Sequence, residues 1–170
     1  MLNNHTISLI AAYTKNKRVI GSDGKIPWNL KSERNRFKQI CNNKKIIMGR
    51  KSFEEIGRAL PYCTIIIISK TLGSAPEGCI LARSLEEAID KADSADEIII
   101  AGGGEIYAQT MPFADKIYAT EIDADFEGNT YFPLPDGNWD CVEEKNCCEN
   151  DICYRYLTFT KIAETKSHKR

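Results

Sequence analysis

Apolar runs and turn residues alternate along this chain with two different periods. TISLIAAYT (6–14) is apolar nearly throughout and reads as a buried strand. CTIIIIS (63–69) is a β-branched run of the same kind, and KKIIMG (44–49), GCILA (78–82), DEIIIAGGG (96–104) and DKIYATEI (115–122) read as further strands. Between them the pattern is helical. RKSFEEIG (50–57) reads as a helix stopped by Gly57, SLEEAIDKA (84–92) as an amphipathic helix with a Ser84–Glu87 capping box, and EIYAQTMPFA (105–114) as another helix. WDCVEEKN (139–146) and CYRYLTFTKI (153–162) read as a hairpin, and NKRVIGSDGKIPW (16–28) as a loop with Gly21, Asp23-Gly24 and Pro27 as turn signals. Strands alternating with helices imply an α/β fold, mostly parallel with an antiparallel end. No linker or repeat interrupts the pattern, so one domain is expected.

The segment PWNLKSERNRF (27–37) opens a helix from about Leu30. Its inward stripe is Leu30, Glu33, Phe37 and Ile40, the spacing of one helix face. Lys31, Arg34, Arg36 and Lys38 are assigned to the solvent face. A carboxylate on an apolar stripe is costly unless it is paired or protonated. One reading pairs Glu33 with a neighbouring arginine or starts the helix slightly out of this register, and a first helical turn also suits an acid. The other sets the carboxylate at the floor of an apolar pocket, held for a ligand whose two N–H donors match its two oxygens. Burial would lift its pKa from the ordinary ~4.3 toward neutrality.

Composition narrows the classes. The chain has 170 residues, 42% hydrophobic and 28% charged, with a net charge of −1, which excludes a disordered or membrane-like chain and gives no electrostatic case for a nucleic-acid partner. The basic end KSHKR reads as a solvated tail beyond 163. No apolar run approaches membrane-spanning length, and the N-terminus lacks the basic flank of a signal peptide, so a cytoplasmic location is expected. Seven cysteines lack any Cys-x-x-Cys pair, and His5 and His168 are the only histidines, so no metal site is expected. Reduced, mostly buried thiols are expected, with Cys147-Cys148 as the alternative of a reactive vicinal pair.

Two places repeat one device. IIMGRKS and IIIAGGGEIY each run strand, glycine, helix. Ligands of parallel α/β sheets sit at the carboxyl ends of strands, where helix N-termini offer free N–H groups and glycine lets a phosphate approach the backbone. Two such turns could hold a pyrophosphate, although neither is a G-x-G-x-x-G fingerprint. Arg50, Lys51 and Ser52 follow the first turn, and Ser69, Lys70 and Thr71 follow the strand at 63–69. Cations and hydroxyls suit a 2′-phosphate, as in NADP, better than the free ribose of NAD.

In order, ISLIAA, VIG, PWNL with an acid beyond it, IMGRKSFEEIGRALP, IIIAGGGEIY, YATEIDADFEGNTYFP and CYRYLTFTK resemble the bacterial dihydrofolate reductases. The resemblance runs to about Ala163, leaving 164–170 as the tail. It implies an eight-stranded, mostly parallel sheet with an antiparallel C-terminal strand and four flanking helices. It also implies bound NADPH, reduction of 7,8-dihydrofolate, antifolate inhibitors as further ligands, and a monomer. By the resemblance, Glu33 is the pterin-binding acid, supported with its water by Trp28 and Thr120. Ile10, Ala11, Ile26, Phe37, Ile56 and Leu60 would wall the pterin and benzoyl groups, and Ala12 and Ile20 would border the nicotinamide. Gly49, Arg50, Lys51, Ser52, Ser69, Lys70, Gly102, Gly103, Gly104, Glu105, Ile106 and Tyr107 fall at cofactor positions. GSDGKI corresponds to the family's mobile active-site loop.

Five residues depart from the pattern. Cys63 stands where the family has an arginine that clamps the glutamyl α-carboxylate, and a thiol cannot form that bidentate pair. Arg34 stands at an apolar position near the benzoyl ring and could reach the tail instead, as could Arg58 or Lys38. Ala101 replaces a branched aliphatic residue, Glu105 a basic one and Asn129 an acidic one. A dihydrofolate reductase of reduced trimethoprim and methotrexate sensitivity is therefore expected. Alternatives are a reductase of another pterin or flavin precursor, against which Trp28, Glu33 and Thr120 argue, and a folate- or nucleotide-binding protein with little turnover.

Overall fold

A computed structural model describes residues 5–21, 28–93, 95–135 and 137–163. The main sheet takes β1 (Thr6–Thr14), β3 (Lys45–Gly49), β4 (Thr64–Ile68), β5 (Ile80–Ala82), β6 (Glu97–Ile100), β7 (Lys116–Asp123), β9 (Trp139–Glu149) and β10 (Ile152–Lys161), in the order β5-β4-β3-β6-β1-β7-β10-β9. The neighbouring pairs from β5 to β7 are parallel, and β10 alone runs against its neighbours. This is the expected sheet. A small antiparallel pair that the pattern did not predict joins β2 (Val19–Gly21) to β8 (Thr130–Tyr131). The helices are α1 (Lys31–Cys41), α2 (Arg50–Ile56), α3 (Leu85–Ala92) and α4 (Gly104–Thr110).

The isoleucine runs explain the layers. Successive side chains of a strand point to opposite faces. Ile47, Ile66, Ile98 and Ile100 therefore pack with Ala88, Ile89 and Ala92 of α3 and Ile106 and Tyr107 of α4. Ile46, Ile65, Ile67 and Ile99 pack on the other face with Cys41 of α1 and Phe53 of α2. Both faces are covered, which is why these strands read as continuous apolar runs. Helix α3 carries its expected cap: Ser84 Oγ accepts the Glu87 N–H at 3.1 Å. The reciprocal bond shifts one residue, with the Glu87 carboxylate accepting the Arg83 N–H at 2.7 Å.

The C-terminal hairpin turns through Asn150 and Asp151, whose φ of 52° and 62° match the mirror-type two-residue turn. The register sets Cys148 opposite Cys153, with Cα atoms 4.1 Å apart, and the two form a disulfide. The expectation of reduced, mostly buried thiols fails here: this pair is oxidised and exposed, and of the free cysteines Cys41 alone is buried. The reason is register, since side chains directly opposite across a hairpin share one face. Cys147 points to the other face, packs against the cluster of Trp28 and Tyr154, and is free, so it forms no vicinal pair with Cys148.

Ile99 is fully buried in the central strand β6. Ile99→Ala should cost about 2–5 kcal/mol through lost burial and the residual cavity. Urea unfolding measures this, and a loss below about 1 kcal/mol would show that the sheet collapses to fill the space.

Candidate active site

Glu33 lies in the first turn of α1, and its position is fixed from a distance. Leu30 precedes the helix and has no capping side chain. The tip of β9 supplies the cap instead: the Glu149 carboxylate accepts the N–H groups of Lys31 at 3.1 Å and Ser32 at 3.2 Å, and the Ser32 hydroxyl at 2.8 Å. Ser32 Oγ also hydrogen-bonds Tyr154 OH. Below this start, Trp28 and Leu30 pack on Ile122, Tyr154 and Tyr156. Trp28 Nε1 is buried without a hydrogen-bond partner among the described residues, leaving a donor with capacity to spare.

The Glu33 carboxylate is half-buried and has no hydrogen-bond or ion-pair partner among the described residues. Burial pushes its pKa up, while the charges of Arg36 and then Arg34 pull it down. Its charge is felt in turn by Tyr107 and Cys41. Ile10, Phe37, Ile56, Leu60, Cys63 and Ala101 gather in the apolar cluster on the α1–α2 face. Ala11 packs in the cluster on the opposite face, and Ala12 against the Trp28 cluster. In the β1–β7 ladder, Ala11 lies opposite Ala119 and Ala12 opposite Thr120.

A second group forms along the carboxyl ends of β4, β3 and β6. The two glycine turns are hydrogen-bonded to each other, Gly49 N–H donating to Gly102 O at 2.9 Å. Gly102 has φ +113°, and a Cβ there would lie 3.2 Å from the Tyr107 hydroxyl. A Cβ on Gly49 would fill the gap toward Gly103 N, at 3.8 Å, and one on Gly103 would meet Ser52 Oγ at 3.4 Å. Helices α2 and α4 both start without a side-chain cap, so their first N–H groups are open to an anion. Ser69 Oγ accepts the N–H groups of Thr71 and Leu72, at 3.3 and 3.1 Å, and keeps its own hydrogen to donate. Arg50 pairs with Glu54 at 3.6 Å; Lys51 and Lys70 are exposed. These residues fit an anionic dinucleotide.

The dihydrofolate reductase family model matches residues 6–161. The chain belongs to the dihydrofolate reductase family. It is 35% identical to a dihydrofolate reductase of Bacillus subtilis over 95% of this chain and 98% of the relative. It is 44% identical to one of Haemophilus influenzae over 79% and 82% of the two chains. A type 3 dihydrofolate reductase of Salmonella typhimurium is 42% identical over 75% and 78%.

Within this family member, several expected site residues stand apart from the two groups. Arg34 is exposed and its guanidinium bonds Asn29; Arg58 is exposed past the end of α2. Glu105 is exposed and takes a bond from Gln109 at 3.4 Å. Ile106 and Tyr107 are core residues, and the Tyr107 hydroxyl already donates to Ile10 O at 2.6 Å. Ile20 packs beside the α3–α4 cluster, and the backbone N–H of Asn129 donates to Gly21 O at 3.1 Å. Ile26, most of the GSDGKI loop and the tail at 164–170 lie outside the described residues.

Arg36 corrects the sequence reading. It was assigned to the solvent face, yet it is half-buried, lies 4.5 Å over the Tyr156 ring and donates to Ala119 O at 2.8 Å. The strands β7 and β10 pass beneath that flank of α1 and give it carbonyl and aromatic partners. Arg83 was also missed. It donates to Ser69 O at 3.0 Å and Leu72 O at 2.5 Å, holding the turn after β4. Its position just after β5, on the same edge of the sheet, was the available signal.

Because the fold raises the pKa of Glu33 above 4.5, the folded state binds that proton more tightly than the unfolded chain. Stability is therefore lost as pH rises through the interval between the two values. Glu33→Gln removes this loss. Its Tm should exceed that of the unmodified protein at neutral and alkaline pH and converge with it in acid. A Tm difference independent of pH would show that Glu33 ionises as it does in the unfolded chain.

Proposed function

We propose that this protein reduces 7,8-dihydrofolate to 5,6,7,8-tetrahydrofolate with NADPH. The observation that carries the reading is the Glu33 carboxylate, half-buried beside an apolar cluster and left unpaired by the described residues. An unpaired carboxylate in such a place is costly to a fold and useful to a ligand that brings two N–H donors. Family membership supports the same reading.

Glu33 hydrogen-bonds the 2-amino group and adjacent ring nitrogen of the pterin, fixing its orientation. Burial raises its pKa, which favours its acid form, and it promotes protonation of N5 through water. Trp28 and Thr120, both buried, support the acid and that water. Ile10, Phe37, Ile56 and Leu60 wall the ring and exclude solvent. The glycine turns would hold NADPH, whose nicotinamide would supply the hydride that C6 accepts. The open N–H groups of α2 and α4 and the Ser69 hydroxyl would hold its phosphates, with Arg50, Lys51 and Lys70 as the nearby cations.

Glu33→Gln should keep the fold and NADPH binding but lose most turnover at neutral pH, since an amide neither forms the charged pair nor exchanges the proton. Unchanged turnover across the pH range would remove Glu33 from the mechanism. Comparing dihydrofolate with dihydrobiopterin, each with NADPH, tests the substrate class; faster turnover of the biopterin would overturn it.

Reduced antifolate sensitivity follows from two residues. Burial pushes the Cys63 thiol up to about 11, so it is neutral at physiological pH and brings no charge to a carboxylate. The loss of a charge-assisted bidentate clamp weakens tail-bearing ligands by roughly 1.5–3 kcal/mol. Ala101 lies in the pterin-side cluster and removes packing atoms that trimethoprim would use, at about 0.8 kcal/mol per methylene. Cys63→Arg should strengthen mainly methotrexate, and Ala101→Ile mainly trimethoprim. Inhibition constants of the unmodified enzyme as low as those of sensitive bacterial reductases would overturn this account.

A further inference from the structure

We propose that Arg36 is a positioning residue of the reaction, its guanidinium tying α1 to Ala119 and Thr120 of β7 while holding a fixed positive charge one helical turn from Glu33. The inference rests on the reading of Glu33 as the acid of a dihydrofolate reductase.

Glu33 and Arg36 are three residues apart on α1, so their side chains leave neighbouring points of one helix flank. Arg36 Nη1 donates to Ala119 O at 2.8 Å and reaches Thr120 Oγ1 at 3.4 Å. The guanidinium carbon Cζ lies 4.5 Å from the Tyr156 ring centre. A half-buried guanidinium is expensive to desolvate, and this one is compensated by a carbonyl, a hydroxyl and an aromatic face. It keeps its charge at every pH at which the enzyme works.

The charged and titratable groups around this pair come from several elements. Glu33, Arg34 and Cys41 lie on α1, Tyr118 on β7, Glu143 on β9, Tyr156 on β10 and Tyr107 on α4. Of the two cations acting on Glu33, Arg36 acts more strongly, and Arg34 is exposed and bonded to Asn29. Burial favours the protonated acid and Arg36 favours the carboxylate. Burial thus raises the acid's pKa, and Arg36 opposes that rise. Thr120 Oγ1, facing the guanidinium as an acceptor, keeps its own hydrogen to donate elsewhere.

The test is the pH profile of kcat with dihydrofolate and NADPH, beside a carbon-13 NMR titration of the Glu33 carboxyl that needs no turnover. Proton delivery needs the protonated acid, so kcat falls as pH rises through its pKa. Arg36→Met keeps much of the packing on Tyr156 and removes the charge. It should move both the falling limb and the NMR midpoint upward by about one pH unit. Arg36→Lys should stay nearer the unmodified protein than Arg36→Met does. Glu143→Gln, an exposed strand position, should leave the Arg36 charge less compensated and shift both curves the other way. It decides the matter if Arg36→Met does not fold. Curves of Arg36→Met that superimpose on the unmodified ones, equal shifts for Met and Lys, or a Glu143→Gln curve that stays put or moves upward would each overturn the proposal. An unmodified protein that does not turn over dihydrofolate would overturn the functional reading and the catalytic role of Arg36 with it. The NMR midpoints would still show whether Arg36 sets the Glu33 charge.

Discussion

Six parallel strands buried on both faces are the constraint from which the rest of this structure follows. Parallel neighbours cannot be joined by tight turns, so each crossover must pass over a face of the sheet, and here helices cover both. The same arrangement brings the carboxyl ends of β5, β4, β3 and β6 side by side along one edge. Gly49 and Gly102, more than fifty residues apart in sequence, become hydrogen-bonded neighbours there. The anion-binding edge is thus a consequence of how a fully buried parallel sheet must be wound.

The acid site obeys a different logic. Its helix begins without a cap of its own, and a hairpin from the far end of the chain supplies one through Glu149. The residues just before Glu33 are therefore held to β9 and β10, the last two strands of the chain, at one edge of the sheet. Arg36 ties the next turn of the same helix to β7. A carboxylate whose desolvation is unfavourable is held on a helix pinned at two points, so its cost cannot be relieved simply by turning the helix outward.

The departures from the family pattern occupy places where the sheet and its packing tolerate change. Cys63 and Ala101 lie partly buried at the margin of the apolar cluster, where a smaller side chain leaves the isoleucine layers intact. Glu105 projects into solvent from α4. The Cys148–Cys153 disulfide joins residues of the edge hairpin next to Glu149, so the segment that caps α1 is itself cross-linked.

The strands β1, β3, β4 and β6, the stop of α2 at Gly57 and the cap of α3 at Ser84 were legible in the sequence. Each is decided by local periodicity or by backbone preference within a few residues. Glu33 was legible too, because a charge in an apolar stripe contradicts its surroundings. The direction of Arg36 was not: helical spacing tells which residues share a flank, and only the placement of β7 and β10 decides whether that flank meets water or a carbonyl. The Glu149 cap joins positions 117 residues apart, and the Cys148–Cys153 pair required the register set by the Asn150–Asp151 turn. Local chemistry thus determined the elements and the acid. Tertiary packing decided which distant groups hold that acid, because approach between elements depends on register and crossing, which no short window of sequence contains.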